Sequence, residues 1–215
     1  MVRRPKVPRS PQRPLTFHPD DFAACPPGGL WRIARTGGRY TASWNHLREF
    51  GPVATMRWDP HEPPAHTQPA RAVLYAATSL TTAAAEVWQA TRRIDPYTGS
   101  PVVARFTPTR PLRLLDLTAR GTWAIRNGAG AALSAAPRDV CRSWAREALS
   151  ALPGLDGLLV PSTLSGMNVV LFAAAKAAMP SRADLLASAS DPAMLSIFEA
   201  IADAIDYDID PGPIR

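Results

Sequence analysis

The sequence predicts an α+β fold in which short strands form mixed, mainly antiparallel sheets and helices pack against them. Three features lead there. Apolar runs of five to seven residues recur between proline clusters, which suits short strands. Two windows, around 138–152 and 195–205, instead repeat their apolar residues at helical spacing. Strand-like runs and helical windows also alternate irregularly, without the regular β-α repeat of a parallel sheet.

In chain order, LWRIA (30–34), VATMRW (53–58) and AVLYAA (72–77) read as strands. Ser79 or Thr81 then serves as N-cap for a helix running to about Thr91. PVVARFT (101–107) and LRLLDL (112–117) give two further strands. Pro137 suits the first turn of a helix whose Val140, Cys141, Trp144, Ala145, Ala148, Leu149 and Leu152 form one core-facing stripe, with Arg138, Arg142 and Arg146 on the other side. LDGLLVPS (155–162) and MNVVLFAA (167–174) close the sheet across a polar turn at Ser165 and Gly166. Leu195, Phe198, Ile201 and Ile205 mark a last helix before the acidic YDID. Prolines at 5–14, 26–27, 60–69 and 108–111 mark connections.

A chain of 215 residues suits one domain with a substantial core, taken here as 21–215, preceded over 1–20 by a basic, Pro-rich tail expected to be disordered. The formal net charge is +6, but Arg3, Arg4, Lys6, Arg9 and Arg13 supply five of those charges before any acidic residue appears. The body is therefore nearly neutral, and direct nucleic-acid binding is not expected of it. Cys25 and Cys141 lie far apart, so neither a disulfide framework nor a zinc site is indicated. No apolar run approaches the roughly 20 residues of a membrane helix, and the basic N-terminus lacks a following apolar segment. A soluble, cytoplasmic protein with no membrane association is expected.

Familiar catalytic motifs are missing. RTGGRY is neither a P-loop nor a dinucleotide fingerprint, there is no GxSxG elbow, and His18, His46, His61 and His66 form no HExxH. No metal is expected, and His61 and His66, in a Pro-rich loop, read as solvated.

What remains is an ordered set of polar residues at strand ends and on one helix: Arg32 in LWRIA, Arg57 in MRWDP, Tyr75 in VLYAA, Glu86 in AAAEVW, and Ser162 and Asn168 in PSTLSGMNVV. In this order the set resembles the RES domain family, typically toxins of bacterial toxin–antitoxin pairs, over about residues 28–174. Three departures stand out: Met56 where the family has Gly, Asp59 where it has Asn, and the long HEPPAHTQPAR segment in place of a short turn. Asp59 either pairs with Arg57 or points away from it.

The resemblance implies a fold similar to diphtheria-toxin-like ADP-ribosyltransferases, with NAD as substrate and no metal. It also implies a cognate Xre-like antitoxin carrying a DNA-binding part, with a homodimer inside a larger hetero-oligomer as one arrangement. The chemistry fits the residue types. Cleaving the nicotinamide–ribose bond builds positive charge on the ribose, which a carboxylate such as Glu86 stabilises while orienting water or inorganic phosphate. The planar forks of Arg32 and Arg57 match a pyrophosphate. Tyr75 can stack on nicotinamide, with Trp58 walling the pocket. Ser162 and Asn168 would bind the ribose or steady Glu86. Glu86, Arg32 and Tyr75 are the expected catalytic set, and Arg57, Ser162, Asn168 and Trp58 the binding set.

Each residue also has a structural reading: a core tyrosine, a solvated glutamate, arginines snorkelling from a sheet edge, a turn serine. Two functional rivals stand beside NAD breakdown. One is ADP-ribosyl transfer to a protein through the same pocket. The other is nucleic-acid binding through the basic tail with Arg138, Arg142 and Arg146.

Overall fold

The computed structural model describes residues 7–118 and 120–212. Twelve strands are found among them: β1 (Phe22–Ala23), β2 (Leu30–Arg35), β3 (Phe50–Gly51), β4 (His66–Thr67), β5 (Val73–Ala77), β6 (Arg93–Ile94), β7 (Pro101–Phe106), β8 (Leu114–Asp116), β9 (Gly157–Pro161), β10 (Met167–Phe172), β11 (Leu185–Ser188) and β12 (Asp208–Ile209). The α-helices are α1 (Leu80–Val87), α2 (Trp123–Arg126), α3 (Arg138–Ala151) and α4 (Pro192–Ile205). Eight strands form one sheet in the order β1-β8-β9-β10-β5-β2-β7-β11, antiparallel throughout except for the β8–β9 pair. This is the mixed, mainly antiparallel α+β architecture that the sequence predicts.

The sheet is divided. β2 pairs with β7 over six residues but with β5 only at Trp31↔Ala77, so β2 and β5 diverge from that point. Such a divergence leaves a gap in the middle of the sheet, and the chain places polar groups there. α1 begins directly after β5, with Ser79 as N-cap accepting from the Thr82 N–H. Its buried Ala83, Ala84 and Ala85 have side chains small enough for the helix to lie close over the split.

Apolar clusters lie on both faces. α3 buries Val140, Cys141, Trp144, Ala145, Ala148 and Leu149 against the sheet, the stripe expected from spacing, and Trp144 meets Trp123 edge-on at 5.9 Å. α4 buries Met194, Phe198, Ile201 and Ala202, with Phe198 edge-on to Trp88 at 5.4 Å. The acidic YDID is tied down, because β12 pairs in parallel with β6.

Three expectations are corrected. Residues 53–58 are not a strand but two turns, because Asp59 curls the chain back: its carboxylate accepts the Val53 N–H at 2.8 Å and the His61 N–H at 3.2 Å. α1 ends at Val87 rather than near Thr91. The disordered tail proposed for 1–20 does not describe its latter part. Arg3, Arg4 and Lys6 lie outside the described residues, but Val7, Leu15 and Phe17 pack on the α3 cluster. Trp144 Nε1 donates to the Pro8 carbonyl at 2.8 Å, Thr16 and Asn127 exchange two hydrogen bonds, and Phe17 stacks on Trp123 at 5.8 Å. Composition favours disorder, yet this segment finds an indole donor and an aromatic surface to cover.

Candidate functional site

Two cavities of about 650 and 630 Å³ open on the split in the sheet and share Tyr75, Glu86 and Asn168 along their common wall. They form two halves of one cleft, here called inner and outer, with a carboxylate between them. Arg32 and Arg48 line the inner half, and Arg57 and Arg138 the outer.

Glu86 sits near the C-terminal end of α1, where that helix crosses the gap. Its Oε1 accepts two hydrogen bonds of 2.7 Å, from Ser162 Oγ and Asn168 Nδ2. Among the described residues its Oε2 meets only Gln89 Nε2, at 3.3 Å. One oxygen is thus anchored and the other lightly held, in a side chain that lines both halves of the cleft. The anchoring residues come from far along the chain. Asn168 stands on β10 opposite Ala77, so sheet pairing alone brings it beneath α1. Ser162 follows β9 in a turn closed by Ser162 N–H to Gly166 O at 3.0 Å, with the serine Oγ accepting from the Leu164 and Ser165 N–H groups. Gly166 has φ +67°, and a Cβ there would lie 2.4 Å from Thr82 Oγ1 on α1, so the turn approaches α1 this closely only with glycine.

Arg32 lies at the split itself. Its Nη1 donates to the Tyr75 carbonyl at 3.3 Å, spanning the two diverging strands, and its buried Nε has no hydrogen-bond partner among the described residues. Burial, with the positive charge of Arg48 nearby, holds its guanidinium down to about 10. No carboxylate among the described residues forms a salt bridge with it. A half-buried cation sharing a cavity with a second cation is poised for an anion. Tyr75 turns its ring to both halves of the cleft while its hydroxyl accepts from the Trp58 N–H at 3.2 Å. Burial, followed by the Asp59 carboxylate, pushes that hydroxyl well above its ordinary value, so Tyr75 remains a neutral phenol.

The expected clamp of Arg32 with Arg57 is not assembled. Because the chain curls around Asp59, Arg57 turns toward α3, donating to the Ala136 carbonyl and resting 3.8 Å from Cys141 Sγ. It lines the outer half of the cleft, whereas Arg32 lines the inner. Trp58 is 2 % exposed, a core residue that also contributes to the outer wall. Asp59 points away from Arg57, and its charge is met elsewhere: Oδ2 pairs with Arg48 Nη2 at 2.8 Å, and Oδ1 with His61 Nδ1 at 2.5 Å. His61, expected to be solvated, is fully buried, and its Nε2 reaches the Glu49 carbonyl at 2.9 Å. The long 60–69 segment lines neither half of the cleft.

Arg48 is the cleft residue that the sequence reading misses. Nothing in WNHLREFG singles it out. Its place follows from an isolated bridge to Val73, with N–H···O bonds of 2.8 and 2.9 Å in the two directions, which docks the segment beside β5.

Burial alone would raise the Asp59 carboxyl, but hydrogen bonds from His61 and the Val53 N–H, together with the Arg48 charge, hold it down to about 2 against an ordinary 3.8. A depressed carboxylate gives stability that is complete above its unfolded value and is lost as the pH falls through the folded one. The stability difference between the parent and Asp59→Asn is therefore expected to be full at pH 5. It should shrink by about 2 kcal/mol by pH 2, measured by urea unfolding across that window.

The fold and cleft define a class: an α+β protein whose divided sheet holds a fixed carboxylate beside Arg32, a half-buried cation that forms no salt bridge among the described residues. The chain belongs to the RES domain family, whose profile matches residues 29–193. The fold is similar to that of a chain in the crystal structure of the M. tuberculosis MbcT–MbcA toxin–antitoxin complex, with a TM-score of 0.51 and 20 % identity, covering 80 % of this chain and 88 % of that one. No curated protein sequence matches the chain. No helix among the described residues is long and apolar enough to cross a membrane, and no group of three or more His, Cys, Asp or Glu among them is placed to hold a metal ion.

Proposed function

We propose that the protein is the toxin of a toxin–antitoxin pair and acts by cleaving the nicotinamide–ribose bond of NAD, with water or inorganic phosphate as acceptor. The observation that carries this reading is the Glu86 carboxylate, which lines both halves of the cleft with one oxygen anchored by Ser162 and Asn168 and the other held only by a 3.3 Å contact from Gln89 among the described residues. Bond cleavage gives a neutral leaving group and a positively charged ribose, and a preoriented anion stabilises that charge without reorganising in the transition state. Glu86 would accept the 2′-hydroxyl proton in a hydrogen bond and align the acceptor. The unpaired donors of Arg32 suit the pyrophosphate, and the Tyr75 face suits the nicotinamide. A partner protein that covers the cleft would block all of these contacts at once, and the toxin–antitoxin complex of similar fold supports the same kind of pairing here.

The test is nicotinamide release from NAD by the purified full chain, in phosphate-free buffer and with millimolar phosphate, using Glu86→Ala as control. Release that depends on Glu86 is the expected result. A rate that rises with phosphate, with ADP-ribose 1″-phosphate as product, assigns phosphorolysis; free ADP-ribose assigns hydrolysis. NAD left intact under both conditions overturns the reading. Adenine-side label recovered on a protein assigns ADP-ribosyl transfer instead.

A further inference from the structure

We propose that Arg48 is a second anion-binding residue of the cleft, and that the buried Asp59–His61 pair is a positioning device that holds it there, so that Arg32 and Arg48 together grip a diphosphate-type anion. Arg48 lines the inner half of the cleft alongside Arg32 and Tyr75. Its backbone is pinned to Val73 on both sides of the bridge. Its side chain is fixed as well: Nη1 donates to the Phe50 carbonyl and Nη2 to Asp59 Oδ2. Those contacts use two of the five donors of a guanidinium and leave three. Arg32 uses one, to Tyr75 O, and its Nε is buried without a partner. Two fixed guanidiniums with unused donors in one cavity match the several oxygens of a diphosphate better than those of a single carboxylate.

The arrangement behind Arg48 explains how its side chain is held. Asp59 Oδ2 meets Arg48 Nη2, while its other oxygen meets His61 Nδ1 and His61 Nε2 contacts the Glu49 carbonyl. The carboxylate is thus fixed from behind and holds the Arg48 fork in one orientation. Asp59 and His61 are both fully buried, so neither touches a ligand, and their effect passes through Arg48.

The proposal deepens the NAD reading but is tested without turnover, by calorimetric titration of the full chain with inorganic pyrophosphate and, separately, with ADP-ribose. Arg48→Gln is expected to weaken pyrophosphate binding about 10- to 100-fold, with Arg48→Lys in between because it keeps the charge but loses the fork. His61→Gln and Asp59→Asn, each checked for a cooperative melt, should weaken it about 3- to 10-fold, since the arginine stays but swings. In turnover, Arg48→Gln should raise KM more than it lowers kcat, as expected of a residue that binds substrate and transition state alike. A folded Arg48→Gln protein with parental pyrophosphate affinity overturns the proposal, as does a parent that does not bind pyrophosphate at millimolar concentration. Arg48-dependent binding with no nicotinamide release would uphold this site while rejecting NAD cleavage.

Discussion

Glu86→Gln is expected to lower nicotinamide release by about 10²- to 10⁴-fold while leaving the fold intact. The substitution keeps the side chain's shape. The glutamine carbonyl can still accept from Ser162 Oγ and Asn168 Nδ2, which both converge on a single Glu86 oxygen. Only the 3.3 Å contact from Gln89 Nε2 to the other oxygen is lost, while the same Nε2 keeps its 3.0 Å bond to the Glu86 backbone carbonyl. Charge is therefore removed with little structural loss, and the rate reports the electrostatic part of catalysis. The neighbours give a graded control. Ser162→Ala and Asn168→Ala each remove one hydrogen bond to an ionised group, worth about 1.5–3 kcal/mol, so each should cost roughly 10- to 100-fold. If Glu86→Gln keeps parental activity with a parental melt, the carboxylate has no part in the chemistry.

Arg32→Met is expected to give two results of opposite sign. Ligand affinity, for NAD or pyrophosphate, should fall about 100-fold or more, because the donors facing the anion are gone. Stability without ligand should stay level or rise by about 1–2 kcal/mol. The free protein holds the Arg32 charge in a site that disfavours it, as its depression to about 10 from 12.5 shows. Methionine fills much of the same straight-chain volume without that charge. The one loss is a long hydrogen bond from the charged guanidinium to the Tyr75 carbonyl, at 3.3 Å near the lower end of about 1.5–3 kcal/mol. Thermal melts in the presence and absence of pyrophosphate measure both effects at once: the ligand-induced rise should vanish and the ligand-free midpoint should not fall. A strongly destabilised Arg32→Met would mean that the guanidinium bridges the split strands mainly as a structural tie.

The fold was legible in the chain wherever burial imposes a period. The α3 stripe, the α4 stripe and the strands at 30–35, 73–77, 101–106, 157–161 and 167–172 all stand out as apolar patterns, and all are present. The cleft residues Arg32, Tyr75, Glu86, Ser162 and Asn168 were legible for a different reason. Each is a polar or amphipathic residue set within or beside an apolar run, a place where packing alone does not call for one. The structure brings Glu86, Ser162 and Asn168 into direct contact, and Arg32 onto the Tyr75 carbonyl.

Arg57 and Arg48 show where such reading stops. MRWDP has the appearance of a strand end, but one carboxylate, Asp59, takes the Val53 and His61 N–H groups and folds the segment into turns, carrying Arg57 to the outer half of the cleft. Which partner Asp59 would choose depends on Arg48, 11 residues before it, and on a histidine in a proline-rich loop that composition places in water. The N-terminal segment is similar: residues 7–17 settle on the Trp144 indole N–H, the Asn127 amide and the Trp123 ring, all distant in sequence. By itself the sequence determined the central strands β2, β5, β7, β9 and β10, the helical stripes and the ordered polar set, because periodicity and a polar residue in an apolar run are properties of neighbouring residues. The tertiary structure alone decided which arginines share a cavity, which oxygen of Glu86 stays open and where the Asp59 charge goes. These depend on contacts between distant segments, and the hydrogen bonds that fix them exist only once the sheet has brought its strands together.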